Sequence, residues 1–282
     1  MSINLQHNLA ISDLLNGDST LASTPNIYFK LQETIDDPTK SLVDAAYIIQ
    51  NDPALSIKLL KIVNSAFFGF PSKISSIDRA INLIGTKELQ SIVLSTVVVD
   101  SFSDLSSDLI SMHDFWAKSL RCALIAKGID KLLGKEFSES IFICGILHNI
   151  GQLIFFRRIP ELATEVNLLL HAQEDPTDLD EINFEEIIIG FDHYQTGAAL
   201  TKLWKLPDII TKSIQLHAFP DTTEAFHKIA SIIRLADSYS KMDLTFSDTE
   251  ISHIDIPLDD MANIIDRAHQ EFEEVFKFFY PN

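Results

Sequence analysis

The amino-acid sequence predicts an all-α protein built from two packed helical lobes. Helix-capping signals recur along its 282 residues, and the apolar residues between them repeat at helical spacing. The sequence contains no alternation of strands and helices, no fixed-period repeat and no low-complexity tract. Helices that bury an apolar face against other helices account for all three observations.

The first lobe opens with two short helices that meet at an asparagine–aspartate pair. In the stretch SLVDAAYIIQNDPALSIKLLKIVNSAFFG, Ser41 and Asp44 resemble a capping box at the start of the first helix. Asp52 followed by Pro53 predicts the start of the second helix, because proline is favoured at the first helical position.

Two further helices are expected in the same lobe. Gly85 is expected to end the first of them, and Thr86 is expected to cap the second. Residues 92–99 have the composition of a strand, but they lie in a long, capped frame with no strand partner nearby. We therefore predict a buried helix at this position.

The second lobe follows a polar boundary at residues 103–110. A long helix is expected to end at Gly134, and other helices to begin at Ser138 and Pro160. The acidic stretch QEDPTDLDEINF, residues 173–184, predicts a loop or a short ordered link. Later helices are predicted at about residues 192–205, 207–217, 223–241 and 258–279.

Composition and charge exclude several classes of function. The chain carries 22 Lys and Arg against 40 Asp and Glu, a formal charge of −18, so its average field repels nucleic-acid phosphates. Its start lacks the basic and apolar regions of a signal peptide, and no apolar stretch reaches the length of about 18 residues that spans a membrane. We expect a cytoplasmic protein that binds neither nucleic acid nor membrane.

The two cysteines of the chain are Cys122 and Cys144, and both lie in apolar helical patterns. This placement favours reduced thiols in the core over a disulfide framework or a metal-binding CxxC pair. Reduced thiols in turn suit a reducing compartment.

Several polar residues stand out because they lie in apolar helical frames: His148 with its neighbour Asn149, His193, His217 and Asp237. Imidazole nitrogens and carboxylate oxygens are the ligands with which helical proteins assemble transition-metal sites. A lone buried histidine is more often a hydrogen-bonded core residue, so spacing alone leaves both interpretations open.

Short motifs occur in a specific order along both lobes. The first lobe contains DPAL, LLKIVNSAFFG and AINLIG, and the second contains FWAKSL, GILHNIGQLI, DHYQTGAALTKLWKLP, IQLHAF and IIRLADSYS. In these motifs the chain resembles the HDOD domain of bacterial signalling proteins, a relative of the HD superfamily of metal-dependent phosphohydrolases. The resemblance implies a two-lobed helical fold whose second lobe is a degenerate HD-type bundle.

The resemblance also implies a division of the chain. Residues 22–108 would form the first lobe and residues 109–240 the HD-like lobe. Residues 1–21 would be an accessory segment, and residues 241–282 an accessory C-terminal helix. On these lengths we expect no fused receiver, kinase or cyclase domain, so the signal would come from elsewhere.

Active HD phosphohydrolases hold their metal with a first histidine, an adjacent His-Asp pair and a distant aspartate. Further histidines hold a second metal in some branches of the superfamily. In this chain the core positions fall in that order on Lys118, His148, Asn149 and Asp237, and the further histidines fall on His193 and His217. Two of the four core positions are therefore altered.

Both alterations remove metal-binding chemistry. Asn149 offers a neutral carbonyl oxygen in place of a carboxylate. Lys118 has no lone pair while it is protonated, and its charge would repel a metal ion at about 4 Å by several kcal/mol. We therefore expect no catalytic residue and no bound metal, and we predict that Lys118 pairs with Asp237 as a built-in cation in place of the metal.

Two functions follow from this interpretation. The favoured one is a non-catalytic regulatory domain that binds a signalling protein or a small anionic ligand, and the ligand pocket would be lined by Lys118, His148, His193, His217 and Asp237. The alternative is a metal-dependent phosphohydrolase, in which a divalent transition metal would be held by His148, His193, His217 and Asp237. Hydrolysis of cyclic di-GMP is disfavoured, because the chain lacks an intact His-Asp pair and a Gly-Tyr-Pro signature.

Asp52, Pro53, Asn64 and Ser65 belong to the motifs that carry the resemblance. Asn64 and Ser65 are expected to bond backbone groups at a helix end. The phenylalanines of the same motif are expected to fill the interface between the lobes, with a recognition edge as the alternative.

Three other features have simple structural interpretations. Asp192 is predicted to cap a helix. Residues 174–186 are predicted to form a solvated acidic face, which could steer a basic partner. The aromatic end of the last helix is expected to pack in the core rather than to contact a partner, and it contains Phe276, Phe278, Phe279 and Tyr280.

Overall fold

The computed structural model describes residues 9–16, 18, 25–65, 67–105, 110–138, 140–174, 176–220, 222–241 and 254–280. Within these ranges the regular secondary structure is helical, with no β-strand. The all-α prediction is therefore confirmed. The boundary expected at residue 22 and the part of the polar boundary at residues 106–109 lie outside the described residues.

The helices follow one another closely along the chain. Those before residue 102 are α1 (Ile11–Leu15), α2 (Asn26–Asp36), α3 (Leu42–Gln50), α4 (Pro53–Val63), α5 (Ile77–Ile84) and α6 (Thr86–Ser101). Those of the second lobe are α7 (Met112–Leu132), α8 (Ile141–Leu147), α9 (Ile150–Arg158), α10 (Pro160–His171), α11 (Asp178–Ile188), α12 (His193–Leu203), α13 (Asp208–Leu216) and α14 (His227–Ser240). The last described helix is α15 (Leu258–Phe279).

Helix α7 organises the second lobe, because it packs against α8, α14 and α15. Helix α12 packs against α9 and α13 on another side of the lobe. In the first lobe, α3 contacts α2, α4 and α5, and α6 extends from this group to α8. Helix α15 contacts both α4 and α7, so the C-terminal helix joins the two lobes through one continuous apolar core.

The capping signals of the first lobe are present as predicted. The Ser41 backbone N–H donates to Asp44 Oδ2 at 2.8 Å, which forms half of a capping box. Asp52 accepts a hydrogen bond from the Leu55 N–H at 3.0 Å, and Pro53 is the first residue of α4. Residues 92–99 form part of the buried helix α6, as the sequence predicts.

Three predicted boundaries are wrong. Thr86 is the first residue of α6 rather than its cap, because Gly85 adopts a φ of 83° that ends α5 and starts α6 at one residue. The helix expected from Ser138 begins only at Ile141. Residues 173–184 are not a loop or link throughout, since helix α11 occupies most of the stretch.

The cause of the last error is a second capping box. The Thr177 N–H donates to Asp180 Oδ2 at 2.9 Å, and the Thr177 hydroxyl accepts from the Asp180 N–H at 3.3 Å. These bonds satisfy orphan backbone donors at the start of α11, so an acidic sequence forms a helix there. Acidic side chains in the first turn also interact favourably with the helix dipole.

The phenylalanines of the NSAFFGF motif pack at the interface between the lobes, as expected. The ring of Phe67 lies 5.5 Å from that of Phe142 on α8, measured between centroids. Lys127 of α7 places its ammonium 3.9 Å from the centroid of the Phe67 ring. This cation–π contact joins the motif to the central helix of the second lobe.

The polar residues of the same motif bond backbone groups, also as expected. Asn64 donates from Nδ2 to the carbonyl oxygens of Leu60 and Ile74 and accepts the Ile74 N–H at 2.7 Å. The Ser65 hydroxyl donates to the Ile62 carbonyl at 2.6 Å. Asn64 therefore fastens the loop after α4 to the end of that helix.

The aromatic end of α15 packs largely in the core. Phe276 and Phe279 are buried, and Phe278 and Tyr280 are partly buried. The predicted packing is thus confirmed for the first two residues. Among the described helices, none combines the length and the apolar character needed to cross a membrane.

Candidate functional site

The altered metal-ligand positions come together where three elements of the second lobe meet. Helix α7 carries Lys118 and Cys122 one turn apart, His148 lies between α8 and α9, and α14 carries Asp237. His148 is 1% exposed and Asp237 is 1% exposed, whereas 30% of the Lys118 side chain is accessible. The site is therefore a buried cluster that reaches solvent at Lys118.

Two glycines around His148 allow the surrounding helices to approach. A Cβ on Gly145 would lie 2.4 Å from the Cα of Ala123 in α7. A Cβ on Gly151 would lie 1.8 Å from the carbonyl oxygen of His193 in α12. The motif GILHNIGQLI thus holds His148 between two tightly packed helix pairs, and larger residues at either glycine would push them apart.

The centre of the cluster is one carboxylate oxygen that contacts two side-chain nitrogen atoms. Lys118 Nζ lies 3.0 Å from Asp237 Oδ1, and His148 Nε2 lies 2.9 Å from the same oxygen. His148 Nδ1 lies 2.7 Å from the Gly145 carbonyl oxygen. Both ring nitrogens of His148 therefore lie within hydrogen-bond distance of an oxygen atom.

Charge pairing decides the ionisation of this centre. Burial disfavours the charged form of Asp237, but Lys118 and His148 outweigh it and hold the pKa of this carboxyl well below its ordinary value. Burial likewise opposes the charge of Lys118, but Asp237 outweighs it and raises the pKa of the lysine. Lys118 and Asp237 therefore form the ion pair that the sequence predicts.

A second carboxylate extends the network toward solvent. Asp178, at the start of α11, forms an ion pair with Arg234 and accepts from Lys241 Nζ at 2.6 Å. Burial opposes ionisation of Asp178, but the neighbouring cations outweigh it and lower its pKa. The cationic side chains around Asp237 thus have carboxylate partners of their own.

His217 lies next to the centre without joining its ion pairs. Its ring centroid is 5.4 Å from that of His148, and its Nδ1 lies 2.9 Å from the Ile214 carbonyl oxygen. Its Nε2 is buried and has no hydrogen-bond partner among the described residues. Burial, and then the charge of His148, lower the pKa of His217 well below its ordinary value, so the ring is neutral.

His193 belongs to a different cluster. Its Nδ1 lies 2.8 Å from Glu185 Oε2, and its backbone N–H donates to the same oxygen at 2.9 Å. Burial opposes protonation of His193, but the Glu185 carboxylate outweighs it and raises the pKa of the imidazole to about 9. The ring of Tyr194 separates this pair from His217, with centroid distances of 3.9 Å and 4.4 Å.

The two remaining polar positions lie at helix starts. Asn149 is buried just before α9, and its Oδ1 has no partner among the described residues. Asp192 accepts the Gln195 N–H at 2.7 Å at the start of α12, which confirms the predicted cap.

Among the described residues, two groups of side chains have the kinds of ligand atom that could hold a metal ion. Ligand atoms lie within 4.8 Å of one another in the group Cys122, His148 and Asp237, and likewise in the group Glu181, Glu185 and His193. The first group does not fit a metal in this arrangement, because the Lys118 ammonium and His148 Nε2 both contact the Asp237 oxygen that would bind the ion. In the second group, Glu185 is engaged by the Nδ1 and N–H of His193.

The thiols do not change this conclusion. Burial, and then Asp237, raise the pKa of Cys122 well above its ordinary value. Burial raises the pKa of Cys144 to about 12. Both cysteines are free and buried, as the sequence predicts, and neither offers a thiolate for metal ligation.

The sequence interpretation missed Asp178, Glu185 and Arg234. The first two lie in the stretch predicted as a solvated acidic face, and that prediction is wrong for Glu185, which is 2% exposed. The spacing of Thr177 and Asp180 in the sequence is typical of a capping box, and it predicts a helix that could turn Glu185 toward the core. Arg234 is a charged residue in the apolar stretch IIRLAD, three positions before Asp237.

The fold is helical throughout the described residues, with a buried charged cluster in its second lobe. The chain belongs to the HDOD domain family, because the family's sequence model matches residues 21–220. An uncharacterized protein of Treponema pallidum (strain Nichols) is 28% identical over 235 residues, which are 83% of this chain and 44% of that protein. The chain therefore spans less than half the length of this relative.

Solved structures show the same fold. A protein of Shewanella amazonensis SB2B, provisionally named a phosphohydrolase, has a TM-score of 0.76 at 22% identity and covers 93% of this chain and 99% of its own. A protein of Marinobacter aquaeolei VT8, provisionally named a signal transduction protein, has a TM-score of 0.70 at 16% identity and covers 99% of this chain and 67% of its own. At these identities the likeness concerns the fold.

Proposed function

We propose that this chain is a non-catalytic regulatory protein of bacterial signalling that acts by binding a protein partner. The observation that carries the proposal is the 3.0 Å contact between Lys118 Nζ and Asp237 Oδ1. The ammonium supplies beside this carboxylate the positive charge that a metal ion supplies in active HD enzymes. The charge of Asp237 is therefore paired by a side chain of the protein itself.

Hydrolysis of a phosphoester by an HD site requires a metal-activated water and a positive clamp on the phosphate. Lys118 offers no lone pair while it is protonated, and His148 Nε2 lies 2.9 Å from Asp237 Oδ1 rather than facing an open ligand position. Asn149 contributes a neutral amide in place of the carboxylate that would bridge two metals. The chain's own residues thus stabilise a charge-paired core rather than a reactive centre.

A small anionic ligand is less well supported than a protein partner. Lys118 faces Asp237, and Arg234 and Lys241 both face Asp178. An anion would have to displace a carboxylate from each cation that it contacts, and these pairs are partly or largely buried. The name of the similar Marinobacter aquaeolei protein agrees with a signalling role.

The test places the histidine and the aspartate of active HD enzymes at positions 118 and 149, and measures whether the variant binds metal. We expect chelator-treated wild-type protein to take up no stoichiometric zinc, manganese or nickel. The double variant Lys118→His/Asn149→Asp should bind one of these metals at least about tenfold more tightly, because it regains an imidazole and a carboxylate. Metal content by elemental analysis and thermal stabilisation by added metal would measure this.

The matched control is Lys118→Met, which removes the cation without adding a ligand. It should not gain the affinity of the double variant. The competing function, a metal-dependent phosphohydrolase, predicts about one metal per wild-type chain. It also predicts turnover of bis(p-nitrophenyl) phosphate or p-nitrophenyl phosphate that disappears in His148→Ala, and either result would overturn the proposal.

A further inference from the structure

A groove between α4 and α15 has a charge opposite to that of the rest of the chain. Its volume is about 700 Å³, and its walls carry Lys61, Lys73 and Lys277 against one carboxylate, Glu274. All three lysines are exposed. The whole chain has 22 basic and 40 acidic residues, whereas basic residues outnumber acidic ones among the residues that line the groove.

The groove also has an apolar component and an open rim. Leu60, Ile74 and Phe278 contribute apolar surface, and Lys61 Nζ lies 5.7 Å from the centroid of the Phe278 ring. Ile57 lines the groove while 57% of its surface stays exposed. An occupant with alternating acidic and apolar side chains would therefore match both kinds of wall.

One wall of the groove is fixed before anything binds. Asn64 accepts the N–H of Ile74 at 2.7 Å and donates to its carbonyl oxygen at 2.8 Å, so the loop that carries Lys73 is held against α4. A wall that is ordered in advance loses little entropy on binding. The opposite wall comes from α15, which lies beyond the residues that the family model matches.

We propose that this groove is the docking surface for an acidic, extended segment of a partner protein. The inference rests on the proposed function, because it names the surface through which a protein-binding domain would act. The argument is charge complementarity: a chain of charge −18 repels acidic partners over most of its surface, and the three lysines attract them here.

The experiment uses the full chain and two labelled peptides. One peptide alternates glutamate with leucine, and the other has the same sequence with glutamine for glutamate. Fluorescence anisotropy should show that the acidic peptide binds about tenfold more tightly, because only it can pair with the lysines. The variant Lys61→Gln/Lys73→Gln/Lys277→Gln should weaken its binding by about tenfold.

A matched control removes the same number of charges elsewhere. Lys30, Lys40 and Lys202 are exposed and do not line the groove, so changing all three to glutamine should leave peptide binding unchanged. Equal loss in both triple variants, or equal binding of both peptides, would overturn the proposal. So would inorganic phosphate that binds with the same lysine dependence while the peptide does not, since the site would then serve a small anion.

The two proposals fail in different experiments. A wild-type protein that binds metal and hydrolyses phosphoesters would overturn the proposed function and would leave the peptide result unchanged. Absence of any preference for the acidic peptide would overturn the docking groove, while the metal measurements would still support a non-catalytic core.

Discussion

Two charged regions of this molecule differ in how their charges are matched. The buried cluster is formed by Lys118, His148 and Asp237, with Asp178 beside them. Its carboxylates lie in contact with basic side chains, as in the 3.0 Å pair of Asp237 and Lys118. In the basic groove, formed by the walls of α4 and α15, three exposed lysines share one carboxylate.

The difference separates charges that stabilise the fold from charges that are available to a partner. A charge inside the protein must be paired, because its desolvation costs several kcal/mol otherwise. An exposed lysine keeps its hydration and needs no partner to be tolerated. The buried cluster thus consists of charges that stabilise the fold, and the groove carries lysines that are available to a partner.

Removing one lysine from each region should show the largest difference. Lys118→Met leaves the Asp237 carboxylate buried beside His148 alone, so we expect a loss of about 3 kcal/mol in the free energy of unfolding. Lys61→Met, the same substitution in the groove, should cost less than about 0.5 kcal/mol. Urea denaturation at neutral pH would measure both.

The comparison between the regions breaks down if the two variants lose the same stability. A small loss in both would mean that Asp237 does not depend on Lys118 for its charge. A large loss in both would mean that Lys61 has a structural role in holding α15. The first outcome would also weaken the argument that Lys118 replaces a metal ion.

The buried pair of His193 and Glu185 should make stability fall in alkaline solution. The pKa of His193 is raised to about 9 in the folded protein, above its ordinary value of 6.5. Because a raised pKa means that the folded state binds the proton more tightly, the contribution is fully present below about pH 6.5 and is lost as pH rises through about 9. We expect a loss of about 2 kcal/mol across this window.

The variant Glu185→Gln supplies the control for this titration. It removes the carboxylate that holds the proton on His193, so its stability should be lower than that of the wild type near neutral pH. The gap between the two proteins should narrow above about pH 9. Parallel pH profiles for the two proteins would contradict the assignment.

The sequence predicted the helices better than it predicted the contacts between them. Capping residues such as Ser41 and Asp52 act within one turn, so the local sequence contains their partners. The pairing of Lys118 with Asp237 joins residues 119 positions apart, and it was predictable only because the family resemblance aligned both to one site.

Glu185 shows what local sequence cannot supply. It lies in a stretch so rich in acidic residues that exposure was the simplest prediction, yet its carboxylate is buried against His193 of the next helix. The burial depends on a partner that neutralises its charge, and the packing of α11 brings the two together. His193 was assigned to the metal positions by resemblance, and its partnership with Glu185 separates it from them.

Ionic strength should affect the two regions differently, and its expected effect on stability is the smallest of those predicted. Between about 0.05 M and about 0.5 M salt, exposed charges become screened over a few ångströms, whereas buried pairs are screened much less. We therefore expect binding of the acidic peptide to weaken by about tenfold over this range. The stability difference between wild type and Lys118→Met should change by less than about 0.5 kcal/mol. If the stability difference disappears with salt, the pair of Lys118 and Asp237 behaves as a surface ion pair. If peptide binding does not depend on salt, the apolar wall of the groove, rather than its lysines, holds the peptide.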